Sequence, residues 1–428
     1  MLAGTITNAL RDRDFVDRHR TTSEAFTRER KLPFHRVCLI LIWNLRAALQ
    51  SDLERFFDRL GESGSAPHRT AFSKARSFLK PSAFIDLNDR MIQAAHDLGL
   101  RKNTWHRLRL LAVDGSTLRL AKGSKEIAEH FGGMDTRHDT FCPLARMSYL
   151  YEVRTGLILS AQLSPLAEGE CTQAYELLGE RVWEEDCVLY DRGYNDPRII
   201  AWTLAQKSNF VIRVAAGKSK AAQDFIARGT KEHEFCYVFD DELVNEFERC
   251  GLALSKSCRL RFIRVELETG EMEVLVTNLT DSKTYPAEEF KELYHERWAV
   301  EEGIKTAKCK IEVENWTGKT VHSVEQDFQA RVVCQNIAVF LSQASQATLD
   351  RIMAGHKHTY KINIKRALGL IRDQFVQMMT GTRKAFMEAA EKLASRLPQS
   401  ASLVRPGRSF PRKSPRRIPA AQPYKPIE

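Results

Sequence analysis

Through the first hundred residues, apolar positions recur at the three-and-four spacing of amphipathic helices. The pattern runs through "FHRVCLILIWNLRAALQ" and "SDLERFFDRLG" and resumes, beyond "ESGSAP", in "HRTAFSKARSFLK". Residues 1–100 therefore read as a helical domain. Ser51 is placed to cap its helix, with Glu54 three residues on completing a capping box. A helix, a short Gly/Ser/Pro turn and a second helix carrying Arg69, Lys74 and Arg76 fit a helix-turn-helix that presents these cations to a DNA groove. They fit equally well two packed helices with solvated basic residues.

From about residue 107 the period changes. "LRLLAVDGSTLRLA" predicts an apolar strand ending at Asp114 in a Gly-Ser turn, and "CPLARMSYLYEV" with "GLILSAQLSP" predicts a hairpin joined through "RTG". "TQAYELLGERVWEE" is helical. "CVLYDRGYND" is a short apolar strand with Asp191 at its end, "PRIIAWTLAQKS" is a helix, and "FVIRV" is a strand carrying Arg213. Three meandering strands followed by strand, helix and strand predict an α/β fold: a mixed sheet with helices on its faces. Residues 215–286 break this rhythm with three strand-like runs and read as an all-β insertion. "YPAEEF" then opens a long helix through 293–320, and further helices follow in "SVEQDFQARVVCQNIAVFLSQASQ" and "INIKRALGLIRDQFVQMM". The expected organisation is a helical domain at 1–100, a core in two parts at 101–214 and 287–345 around the insertion, C-terminal helices at 346–396, and a tail at 397–428.

Composition narrows the class. At 428 residues, 43% hydrophobic and 28% charged, the chain is an ordinary globular protein with no apolar run of membrane-spanning length. The N-terminus lacks the apolar core of a signal peptide. The nine cysteines include no C-x-x-C pair, which argues against a structural zinc site or a secreted disulfide framework and for a reducing cytosol. The net charge of +10 is concentrated at the end: residues 398–428 hold seven Lys or Arg against one acid, together with seven of the 14 prolines. Such a segment builds no core and either stays extended until it meets a polyanion or simply solubilises the protein.

Candidate chemistry gathers on the helix after the insertion. At about 100° per residue, Tyr294, Arg297, Glu301 and Lys308 fall within an arc of about 60°, with Lys305 close by. A carboxylate among cations stays ionised, as a metal ligand must, and the cations suit phosphate oxygens. An exposed helix stabilised by alternating charges has the same appearance. Asp114 and Asp191 change the weighting, because each stands at the end of a predicted strand, where ligand sites of open sheets gather. Together with Glu301 they supply three carboxylates for Mg²⁺, an oxygen-seeking ion. Two such ions about 3.5–4 Å apart activate a nucleophile and stabilise a leaving oxygen in phosphodiester chemistry.

The spacing Tyr294-x2-Arg297-x3-Glu301-x6-Lys308 resembles the Y-x2-R-x3-E-x6-K signature of DDE insertion-sequence transposases of the insertion-sequence-four family. "VDGS" around Asp114, "LYDRGY" around Asp191, "FVIR" after it, and "ENWTGKT" and "DFQARVVCQNIAVFL" beyond the helix extend the likeness over about 107–345. The resemblance implies an RNase H-like core with Asp114, Asp191 and Glu301 as a triad for two Mg²⁺ ions, Mn²⁺ substituting. Tyr294, Arg297 and Lys308 would position terminal phosphates, with Arg213 assisting. It further implies cut-and-paste movement of DNA bounded by terminal inverted repeats, a hairpin intermediate, strand transfer to target DNA, a homodimer on the DNA, and a bacterial cytoplasmic, nucleoid-associated setting. One departure is visible: some members of the family carry in the insertion a tryptophan that stacks near a flipped base at the hairpin, whereas residues 215–286 here contain no Trp. Phe235, Tyr237 or Phe239 could serve in its place, although the three read more readily as core, and Trp298, about 100° from Arg297 on the helix, is expected to pack against the sheet. Two other readings stand beside the transposase: a DNA-end-binding repressor, which has no need of three gathered acids, and a metal-dependent nuclease without strand transfer.

Overall fold

The computed structural model of the protein describes residues 2–28, 30–43, 45–100, 104–135, 141–215, 217, 219–266 and 270–404. The chain opens with helices α1 (Leu2–Arg11), α2 (Arg13–His19), α3 (Phe34–Ile42), α4 (Leu49–Arg59), α5 (Arg69–Arg76) and α6 (Ser82–Asp97). There follow β1 (Arg109–Arg119), α7 (Lys125–Phe131), β2 (Gly133–Asp135), β3 (Phe141–Glu152) and β4 (Leu157–Pro165). Helices and strands then alternate as α8 (Glu170–Leu178), β5 (Asp186–Tyr190), α9 (Pro197–Ala205) and β6 (Asn209–Val214). Next come α10 (Lys220–Ala227), β7 (Glu232–Val238), α11 (Asp241–Arg249), β8 (Ser257–Glu266) and β9 (Met272–Thr277). The chain ends with α12 (Phe290–Glu296), α13 (Trp298–Thr306), α14 (Val321–Ile352), β10 (Tyr360–Ile362), α15 (Ile364–Thr380), α16 (Arg383–Arg396) and β11 (Ala401–Leu403). The basic run from Arg405 onward lies outside the described residues.

Two compact units divide the chain: Met1–Leu98 with Thr117–Ala145 and Lys305–Glu428, and Gly99–Ser116 with Arg146–Ile304. In the first unit the N-terminal and C-terminal helices share one core. α14 packs on α3 and α6, α15 packs on α1 and α4, and Phe15, Phe56, Phe72, Phe84, Val333 and Phe375 are among the buried side chains. A polar cluster is sealed within this unit. Arg76 donates to Asp327 Oδ1 at 2.9 Å, to Gln326 Oε1 at 2.8 Å and to Thr317 Oγ1 at 2.6 Å. The sequence reading of Arg76 as a groove-facing cation is therefore corrected: it lies four residues after buried Phe72, on the face that α5 turns inward. Arg69 and Lys74 are exposed. The expected Ser51 capping box is also replaced. α4 starts at Leu49, and buried Asp52 accepts from the backbone N–H groups of Arg46 and Ala47.

Among the described residues, nine strands join in one sheet of order β2-β3-β1-β5-β6-β9-β8-β7, with β4 paired to β3. β1, β5 and β6 are parallel, in a register that sets Leu111 beside Val188 and Val188 beside Phe210. Their apolar residues are almost wholly buried, as parallel strands between helices require. β9 runs antiparallel to β6, pairing Arg213 with Leu275, and β8 and β7 follow antiparallel.

Two expectations fail in informative ways. Residues 215–286 are not all-β, because the segment contains α10 and α11. Ser219 and Asp240 cap these helices by accepting from Ala222 and Leu243 N–H, and Asp241 and Glu242 in the first turn of α11 complement its dipole. The segment's strands extend the main sheet through β9. The expected long helix over 293–320 is likewise interrupted. α12 stops at Glu296, Arg297 lies in the break, and α13 gives way to a π-helical turn, Ala307–Ile311, that closes at Glu312 with φ +60°. A π turn rotates less per residue than an α turn, so the projection that aligned Lys308 with Arg297 does not hold through it.

Candidate active site

The second unit gathers six of the predicted site residues: Asp114, Asp191, Arg213, Tyr294, Arg297 and Glu301. Asp114 stands inside β1 rather than at its end, because the strand continues through the Gly-Ser pair to Arg119. Gly115 makes that possible. A Cβ there would lie 3.0 Å from both the Met147 carbonyl oxygen and Ser148 Oγ of the neighbouring strand. Asp191 directly follows β5, on the open end of the parallel strands, and starts the single 3₁₀ turn Arg192–Tyr194. Glu301 is carried on α13, which buries Val300 and Ile304 and turns Gly303 onto Tyr151. A Cβ at Gly303 would come within 2.7 Å of the Tyr151 ring, so this glycine sets how closely the Glu301 helix approaches β3. With that face inward, Trp298 points outward at 46% exposure, which corrects the expectation that it packs on the sheet.

Arg297 ties the carboxylates together. Its Nη2 donates to Glu301 Oε1 at 2.7 Å and its Nη1 lies 3.9 Å from Asp114 Oδ2, while the Arg297 side chain is only 8% exposed. Burial pushes the Asp114 carboxyl up to about 6; Glu301 and Asp191 push the same way, whereas the Gly115 N–H and Arg297 oppose. For Asp191 the balance is reversed. Burial raises its pKa, but the Arg192 N–H, Arg213 and Arg297 together hold the carboxyl below its ordinary range. Arg213 reaches from β6 to Asp191 Oδ1 at 2.6 Å and, through its other terminal nitrogen, to Glu273 Oε1 of β9 at 2.5 Å. Tyr294 is buried, and its hydroxyl donates to the Tyr190 carbonyl at 3.1 Å, bracing the strand end from which Asp191 emerges. Lys305 and Lys308 belong to the first unit, where the Lys308 ammonium donates to the Thr117 carbonyl at 2.7 Å and burial lowers its pKa.

The donor set suits a hard divalent cation: three carboxylates, oxygen only, near enough that Asp114 feels the charge of the other two. Among the described residues, no group of three His, Cys, Asp or Glu stands ready to hold an ion. The oxygens are turned instead to Arg297 and Arg213, which must release them before they can share one. Glu273 is the member of this arrangement that the sequence reading missed. The alternation in "EMEVLVTNL" marks a strand, but which strand it would pair with was not readable from it. Among the described residues, no helix is long and apolar enough to cross a membrane.

A mixed sheet that presents carboxylates from a strand, a strand end and a helix beside guanidiniums defines a protein with a charged, cation-compatible centre. The chain belongs to the family described as Transposase DDE domain, which matches residues 105–337. It is 23% identical over 276 residues to Transposase InsG for insertion sequence element IS4 of Escherichia coli (strain K12), an alignment spanning 61% of this chain and 61% of that relative. Among solved structures, the cryo-EM structure of piggyBac transposase synaptic complex with hairpin DNA aligns over 97% of this chain and 87% of its own, at 10% identity and a TM-score of 0.43. Every carboxylate, guanidinium and phenol of the centre just described lies within the matched segment.

Proposed function

We propose that the protein is a DNA transposase that cuts at the terminal inverted repeats bordering its own element and joins the freed ends to target DNA. The observation that carries this reading is the common electrostatic neighbourhood of Asp114, Asp191 and Glu301 around Arg297, inside the segment that defines the family. Asp114, Asp191 and Glu301 would hold the divalent ions, Mg²⁺ with Mn²⁺ substituting and two in number, on an RNase H-like core formed by β1, β3–β6 and their helices. When bound, such ions activate a water or 3′-hydroxyl for attack and neutralise charge on the leaving oxygen.

The chain's own groups have distinct tasks. Arg297, once released from Glu301 and Asp114, would offer a terminal phosphate a fork of donors. Tyr294 keeps the Asp191 strand end in place through the Tyr190 carbonyl, and Lys308, once its ammonium leaves the Thr117 carbonyl, would offer a further cation to the DNA backbone. Arg69 and Lys74, exposed on α5, would contact the repeats. Two copies acting together would bring both ends into one complex, and a hairpin at each cut end is the expected intermediate.

The reading is tested by excision of a marked segment flanked by the repeats bordering the gene, with gel-shift binding to one labelled end in parallel. Wild type is expected to excise in Mg²⁺, and Glu301→Ala to bind the end without cutting. Cutting without joining by the wild type would favour a nuclease lacking strand transfer. Binding without cutting by both would favour a repressor, and equal cutting by both would remove Glu301 from the chemistry.

A further inference from the structure

The contact of Arg213 with Asp191 poses a difficulty for a metal centre. A guanidinium seated 2.6 Å from a ligand oxygen competes with the cation that oxygen must bind. In the structure that competition is shared. Arg213 divides its two terminal nitrogens between Asp191 and Glu273, and its Nε finds no partner among the described residues. Glu273 comes from β9, the strand that joins residues 215–286 to the sheet, and its side chain is 17% exposed.

We propose that Glu273 is a positioning residue of the metal centre: it takes up part of the attraction of Arg213, so that the negative charge of Asp191 is not wholly spent on that guanidinium and stays available to a divalent cation. The inference rests on the metal-dependent reading above. Charge supports it. The ion-paired groups at the centre are the carboxylates of Asp114, Asp191, Glu301 and Glu273 against the guanidiniums of Arg213 and Arg297, a net charge of −2 when all are ionised. The centre is thus anionic on balance, as attraction of divalent cations requires. Without Glu273 the net falls to −1, and the whole attraction of Arg213 is directed at Asp191. Geometry supports it as well. β6 and β9 pair with Arg213 opposite Leu275, which puts Glu273 two residues along the facing strand, within diagonal reach of Arg213. The insertion thus contributes to the centre through one side chain, with no contact of its own to the reacting atoms.

The test is Mn²⁺ titration of the full-length protein followed by electron paramagnetic resonance, on wild type, Glu273→Gln, Arg213→Gln and the double variant. Glu273→Gln keeps an acceptor for Arg213 but removes the charge, and is expected to weaken Mn²⁺ binding about tenfold, the usual effect of losing a group behind a metal ligand. Arg213→Gln is expected to bind at least as tightly as wild type, and the double variant to recover most of the loss. Restoration is the outcome a merely structural role would not give. Equal binding by Glu273→Gln and wild type overturns the inference, as does a double variant no tighter than Glu273→Gln or an Arg213→Gln protein weaker than wild type. If wild type takes up no Mn²⁺, the metal reading itself fails and this inference falls with it.

Discussion

Two arginine–carboxylate clusters in this protein use the same chemistry for opposite ends. In the first unit, Arg76 and Asp327 are 5% and 2% exposed, and every contact is closed: Gln326, Thr317 and Ser323 complete the donors and acceptors around them. In the second unit, Arg297 is as deeply placed, but its partners Asp114 and Glu301 are 25% and 26% exposed, and Asp191 beside Arg213 is 32% exposed. The Nε atoms of Arg297 and Arg213 find no partner among the described residues. A satisfied buried pair serves the fold, because losing either member strands a charge. An incompletely satisfied and accessible group of charges is a candidate for binding something else.

The largest effect is expected where the second cluster is broken. Asp114→Asn or Asp191→Asn should lower end cleavage by more than about a thousandfold, the scale of several kcal/mol of transition-state stabilisation, while gel shifts still show end binding. Retained cleavage would show that these carboxylates are bystanders. Next comes the sealed cluster. Asp327→Ala should cost about 3–5 kcal/mol in urea unfolding, with end cleavage falling only as far as folded protein is lost.

A pH experiment sharpens the contrast. The Asp114 carboxyl sits at about 6 in the folded protein, above its unfolded value of 3.8, so the native state binds more protons between those values and stability falls as pH rises through that window. Asp114→Asn lacks this loss. It should therefore melt above wild type at pH 7, with the gap closing below about pH 4. The smallest effect on the fold is expected at α5. Ala at both Arg69 and Lys74 should leave stability within about 0.5 kcal/mol of wild type and lower the salt dependence of end binding by about one phosphate contact for each cation that touches DNA. An unchanged salt dependence would take α5 off the DNA.

Much of the centre was legible in one dimension. Asp114 and Asp191 end apolar runs, Glu301 sits at fixed spacings from Tyr294 and Arg297, and the family assignment agrees with that pattern. The errors share a physical cause, which is that periodicity reports a segment's own preference and not what it packs against. Arg76 looked like Arg69 and Lys74 until Asp327, about 250 residues later, supplied a buried partner. Trp298 was placed inward because a helical wheel does not say which face meets the sheet, and the structure buries the face of Val300 and Ile304 instead. α10 and α11 went unseen because each is shorter than 10 residues, leaving too few turns for a period to register beside the flanking strands.

The family and the mixed α/β character can be read from one dimension, and the three acids can be proposed there, because hydrophobic period and local spacing are properties of neighbouring residues. Only the tertiary structure decided that Arg297 bridges Asp114 and Glu301, that Tyr294 braces Tyr190, and that Glu273 shares Arg213 with Asp191. Apart from the i,i+4 pair of Arg297 with Glu301, those contacts join residues 22 to 183 positions apart, and they arise from strand pairing and burial, which no local pattern encodes.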